Sequence, residues 1–300
     1  KIADTKAEIA AVTDGVGGYD NATVKSSDKD AIDALAARID ALLAGDNLTD
    51  TERASLTEIG KTVGDMLNKL SDIKKEIADV TEGFGAYDKK TVKSSDETDI
   101  EALIARIDAL CATQNLTESE RAALAELKET ANGLLEKIAE VKAEIKATAD
   151  GVEGYDKDTV TTDNKEQIEG FIDRVDTLLD GKNLTEDERK ALEDTKKAAE
   201  DLIKQIEYTA KENKDVTEKL EGIDKDKLTA NDKESINSLI VQIDALLEGK
   251  NLTAAERKTL EDAKANAQSL IKQIDDAVKA AENAGDKSPS TMQNSNALWL

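Results

Sequence analysis

The chain has 300 residues, of which 35% are charged and 2% aromatic, with 16 Gly, one Pro and no His. Its 41 basic and 65 acidic side chains leave a net charge of −24, which repels nucleic acid and anionic membrane surfaces and predicts copies kept apart as monomers. Without His the commonest general base, the Ser-His and Cys-His nucleophile pairs and the commonest metal ligand are missing. The lone Cys111 forms no internal disulfide and no zinc cluster.

Residues 1–14 place Ile2, Ile9 and Val12 among polar residues and read as the tail of a helix. A connection follows through Gly15 and Tyr19-Asp20 to Val24 and Ser26. Gly15 is placed to end the helix in a left-handed conformation. A second helix is predicted from an N-cap at Ser27, with Ile32, Leu35, Ile39 and Leu42 on one face by steps of three and four. Gly45 stops it, and the turn to the next helix is short, so the two should run antiparallel.

The third helix opens at Asn47-Leu48-Thr49-x-x-Glu52-Arg53. Thr49 and Glu52 have the spacing of a reciprocal cap. Apolar steps of three and four then continue from Leu56 through Leu70 and Ile77 to Val80 with no Pro or turn cluster. One unbroken helix over about 50–82 is predicted, roughly 50 Å long. It is the last helix of one module and the first of the next.

This pattern recurs. Asn-Leu-Thr-x-x-Glu-Arg begins at Asn47, Asn115, Asn183 and Asn251, a constant spacing of 68 residues. A fixed period of this size signals an array of similar modules. The repeats fall at 1–70, 71–138, 139–206 and 207–282, with a disordered tail at 283–300. At the third junction Thr209 and Asn213 occupy positions that are apolar elsewhere. The helix is expected to survive there but to open most easily around 207–215.

The predicted fold is all-α, a tandem array of four three-helix bundles joined by continuous shared helices. This handover resembles spectrin repeats and implies a monomeric rod.

Candidate sites are few. Asp40 and Arg53 lie symmetrically about the short turn, as do Asp108/Arg121, Asp176/Arg189 and Asp244/Arg257, and they read as structural ion pairs of about 0–1 kcal/mol. The Gly-to-Tyr-Asp connection is long for a compact bundle. Tyr19, Tyr87 and Tyr155 are its candidate contacts, either with a ligand or as lids, with Val24, Val92 and Val160, on the bundle end. Asp20, Asn21 and Asp28 are oxygen-rich but lack ligands at alternate positions, so neither metal nor cofactor is expected. Asn47-Leu48-Thr49 and its copies match the N-glycosylation pattern, and capping is the preferred use. Gly60-x-x-x-Gly64 implies close packing. Cys111, standing where other copies have Leu, reads as a small buried hydrophobe.

The tail carries the most specific motif. Ser288-Pro289-Ser290-Thr291, then a polar spacer and Ala297-Leu298-Trp299-Leu300, resembles the start of a sortase sorting signal, whose pattern is Leu-Pro-x-Thr-Gly or its Ser-first variant. Met292 stands where the pattern has Gly, and the apolar stretch stops after four residues. The four modules are similar in style to helical repeats that precede such signals in large surface proteins of gut Firmicutes. The resemblance implies an extracellular, cell-wall-anchored protein of a Gram-positive bacterium, with sortase and peptidoglycan as partners.

Two functions follow as expectations. The first is a non-catalytic stalk projecting an N-terminal functional domain from the wall. The second is a helical adhesin module that captures a host protein of the immunoglobulin or albumin type. An enzyme is not expected, since no nucleophile–base pair or phosphate loop is present.

Overall fold

The computed structural model describes residues 2–285, so Ser288, Pro289, Ser290 and Thr291 lie outside the described residues. Among the described residues the fold is all-helical, with no strand. The helices are α1 (Ile2–Gly17), α2 (Lys29–Leu43), α3 (Asp50–Gly85), α4 (Glu97–Ala112), α5 (Glu118–Glu153), α6 (Lys165–Asp180), α7 (Glu186–Glu221), α8 (Asp232–Glu248) and α9 (Ala254–Gly285). The chain divides into two compact units. One comprises residues up to 144 together with 181–188; the other comprises 145–180 together with the residues from 189 onward.

In the first unit α1 packs on α2 and α3, and α3 packs on both α2 and α4. Val12 and Val16 of α1, Ile32, Leu35 and Ile39 of α2, and Val63, Met66 and Leu70 of α3 form one core, closed by Val24. Ile73, Val80 and Phe84 of the same α3 enter a second core with Ile100, Ile107 and Leu110 of α4 and Leu124, Leu134 and Ile138 of α5. Each such side chain contributes about 1.5–3 kcal/mol on burial. The uninterrupted apolar stripe therefore keeps α3 helical across the region between Leu70 and Ile77, since a turn there would uncover both cores.

The second unit repeats the arrangement. Val152, Val160, Ile168, Ala199, Leu202 and Ile206 form one core. Val216 and Leu220 of the same α7 join Ile236, Leu239 and Ile243 of α8 and Leu260, Leu270 and Ile274 of α9 in another. The helix α7 runs unbroken through Thr209 and Asn213, and both side chains are buried.

Two local expectations are corrected. Gly15 lies inside α1 instead of ending it: a Cβ there would sit 2.8 Å from Leu35 Cδ2. Gly83 meets Leu103 at 2.9 Å, and Gly151 lies against the Phe171 ring. These glycines permit close helix approach and do not supply a left-handed cap. Nor does Ser27 cap α2. A short 3₁₀ turn, Ser26–Asp28, precedes the helix. There the Lys25 N–H donates to Asp28 Oδ2 at 2.9 Å, and the Asp28 N–H donates back to the Lys25 carbonyl at 2.9 Å. Asp96 repeats this at Lys93, as does Asn164 at Thr161. A side chain three residues into the turn closes it more directly than a serine at its middle.

Candidate functional site

The turn and the loop are the two irregular features that recur along the chain, and in three places a turn meets the loop of the preceding repeat. In the loop, the Asp20 backbone carbonyl accepts from the N–H groups of Thr23 at 2.9 Å and Val24 at 2.8 Å, while its Oδ1 accepts from the Ala22 N–H at 2.9 Å. The same closure recurs at Asp88 and Asp156. A side chain that bonds its own backbone two residues on is the ordinary device for such a turn. It leaves Asp20 and Asp28 committed to backbone N–H groups. Among the described residues no group of three or more carboxylates, thiols or imidazoles is placed to hold a metal.

The turn presents its cap as expected. The Glu52 N–H donates to Thr49 Oγ1 at 3.3 Å, and the Thr49 N–H donates to Glu52 Oε2 at 2.8 Å. Thr117/Glu120, Thr185/Glu188 and Thr253/Glu256 form the same reciprocal bonds.

The Asn before the cap does more. Asn115 donates its side-chain amide to the carbonyls of Asn21 at 3.1 Å and Val24 at 2.8 Å, 94 and 91 residues earlier. In the first unit Asn183 likewise reaches Lys89 and Val92, both at 2.9 Å. In the second, Asn251 reaches Lys157 at 2.7 Å and Val160 at 3.2 Å. Leu116, Leu184 and Leu252, the next residues, are buried. Asn115 is 3% exposed, and its amide nitrogen donates to both carbonyls.

A third contact completes each clasp. The Thr162 hydroxyl donates to Glu256 at 3.1 Å, and Ser26 and Ser94 bond Glu120 and Glu188 in the same way. Burial of Glu120 raises its pKa, but the Thr117 N–H and the Ser26 and Thr117 hydroxyls outweigh burial and hold it below the ordinary carboxylate value. Glu188 is lowered against the same burial by Ser94, Thr185 and the Lys142 charge.

The Asp40/Arg53 reading is corrected. Arg53 donates Nη1 to the Leu43 carbonyl at 2.6 Å and Nη2 to the Gly45 carbonyl at 3.0 Å, closing the C-terminus of α2. Arg257 does the same at Leu247 and Gly249. The aspartates pair elsewhere: Asp108 with Lys128 and Asp176 with Lys196, each at 2.5 Å, and Asp244 with Lys264 at 2.6 Å. In the first repeat Gly60 stands in the place of that lysine. A Cβ at Gly60 would lie 3.3 Å from Ile39, whereas Gly64 has nothing within 4 Å.

Tyr19, Tyr87 and Tyr155 each pack, half-buried, on the core of their own module. The Tyr155 hydroxyl donates to Gln167 at 2.7 Å, and its ring meets Phe171 edge-on at 6.5 Å. Burial, with Asp99 and Asp96 nearby, raises the Tyr87 hydroxyl pKa. A cleft of about 460 Å³ beside Tyr155 is bordered by Val152, Leu202 and Gln205. Cys111 is half-buried against the second core. No helix among the described residues is long and apolar enough to cross a membrane.

Compared with protein-family models, curated proteins and solved structures, the chain matches none.

Proposed function

We propose that the chain is a non-catalytic spacer, four three-helix bundles in series, that carries another domain away from a bacterial cell wall. The observation that supports this best is the sharing of single helices. α3 gives Val63, Met66 and Leu70 to one core and Ile73, Val80 and Phe84 to the next. α7 does the same with Ala199, Leu202 and Ile206, then Val216 and Leu220. Consecutive modules built on one helix have no free linker between them, which suits a part that holds distance. The Asn clasps add a second tie between the same neighbours.

Anchoring to the wall rests on the resemblance of Ser288-Pro289-Ser290-Thr291 to a sorting signal, with sortase and peptidoglycan as the partners. The adhesin alternative calls for apolar side chains outside the core, repeated in each module. The exposed Tyr208 and Val241 have Glu140 and Asp173 at the equivalent positions one repeat earlier, which favours the spacer.

Small-angle scattering on the whole chain tests the reading. A spacer gives a radius of gyration well above the roughly 19 Å of a compact 300-residue domain. A value near that figure overturns it, and tight capture of a serum protein replaces it with the adhesin.

A further inference from the structure

The end of α5, the loop after it and the side of α7 border a cleft of about 460 Å³, inside the range of about 300–1,000 Å³ usual for small-molecule sites. Val152, 4% exposed, and Leu202, 7% exposed, give it an apolar floor. Tyr155 stands at its side. The Tyr155 hydroxyl is taken by Gln167, which does not border the cleft, so what Tyr155 has left to offer is its apolar ring. The exposed residues of the rim are Glu153, Asp156 and Asp201, with one base, Lys157.

One repeat earlier the chain fills the matching place itself. Phe84 stands where Val152 does, and Gly133 of α5 stands where Asp201 does. The Lys89 side chain lies across α5 at that glycine: a Cβ on Gly133 would sit 2.8 Å from Lys89 Nζ and 3.0 Å from its Cε. A ring and an alkyl ammonium, both from the chain, are thus brought to the earlier loop and helix. In the later repeat both are withdrawn. Val152 is smaller than phenylalanine by most of a ring. Asp201 closes the track that Gly133 leaves open to a lysine, and its carboxylate pairs with Lys204 of its own helix at 2.7 Å instead of with Lys157. An apolar floor is left open beside carboxylates.

We propose that this cleft binds a small organic ammonium ion with a single-ring body, which takes from solution the place that Phe84 and Lys89 fill in the earlier repeat. The ring of the ligand lies on Val152, Leu202 and Tyr155, and its ammonium faces Asp201 and Glu153. The tyrosine ring adds a cation–π attraction to the same charge. The net charge of −24 raises the local concentration of such a cation. The proposal adds a ligand to the spacer and does not depend on that reading.

Amide correlation spectra of the whole chain, titrated with 2-phenylethylamine at neutral pH, test it. Saturating shifts are expected over 152–157 and 198–205, with none of comparable size at the matching residues around Tyr87 and Leu134. Phenylacetate, an anion of similar shape, should leave the cleft unmoved. Ala198→Phe, at an exposed position on the border of the cleft, should abolish the shifts without touching a core. Asp201→Asn should weaken binding by about two- to fivefold, the worth of an exposed ion pair. The proposal is overturned by shifts that do not saturate, by phenylacetate binding as tightly as the amine, by equal shifts around Tyr87 and Leu134, or by undiminished binding in either variant.

Discussion

Asn115 Nδ2 lies 2.8 Å from the carbonyl oxygen of Val24, a residue 91 positions earlier and itself 2% exposed. The same nitrogen also serves Asn21. Two modules are thereby fastened at a point away from the helix they share. A net hydrogen bond is worth about 1 kcal/mol, and a buried carbonyl left unpaired costs more.

Asn115→Ala is therefore expected to destabilise the first two modules by about 2–4 kcal/mol, from two lost bonds and the carbonyls left behind. Asn47→Ala, at an exposed turn, should stay within about 0.5 kcal/mol. Urea unfolding at low protein concentration compares them. Equal effects would show that the clasp carries no stability.

The helical glycines divide by what surrounds them. Gly151 lies against the Phe171 ring, while Gly170 in α6 has nothing within 4 Å. Gly151→Ala should cost about 1–3 kcal/mol, because the ring must leave its place. Gly170→Ala should gain about 0.5–1 kcal/mol from helix propensity alone. Thermal melts of the two variants are expected to move in opposite directions.

The contrast explains what was legible in the sequence. The stripe from Leu56 to Val80 and the Thr49/Glu52 cap lie within a few residues of one another, so spacing alone predicts a continuous helix and its start. The clasp joins residues 91 and 94 apart, and the Asn that makes it sits in a motif already explained by capping. Its only signal was the return of Asn, not merely Thr, in every copy. Arg53 was legible as a conserved spacing with Asp40 within this chain, but not as a donor to the Leu43 and Gly45 carbonyls. Helix-end carbonyls leave no mark on residue identity, so charge alone points the arginine toward the aspartate and away from its carbonyl partners. Gly15 shows the same limit: composition marks a glycine but not whether backbone freedom or the approach of Leu35 requires it.

Glu120 offers a pH test. Its pKa is lowered in the folded chain, where hydrogen bonds from Thr117 and Ser26 outweigh the opposing effect of burial. A carboxyl lowered on folding adds stability that is complete above its unfolded pKa of about 4.3. That contribution is lost as pH falls through the lowered folded value. The urea midpoint of the unaltered chain should exceed that of Glu120→Gln at pH 7, and the gap should close toward pH 3. A gap that is constant with pH would assign the difference to shape rather than charge.

The third junction is where the array should open first. Asn213 is 8% exposed, and its Oδ1 has no hydrogen-bond partner. Thr209, one turn earlier and also buried, accepts only a 3.3 Å bond from Gln205. The equivalent positions in α3 hold Ile73 and Ile77. An unpaired buried acceptor costs about 1–3 kcal/mol, and the helix spans this cost without breaking because Ile206 and Val216 on either side are held in separate cores. Amide exchange should therefore be faster over 207–215 than over 71–79. Asn213→Ile should slow it and raise stability by about 1–3 kcal/mol. Equal protection at the two junctions, or no gain from Asn213→Ile, would show that the polar pair is accommodated without loss.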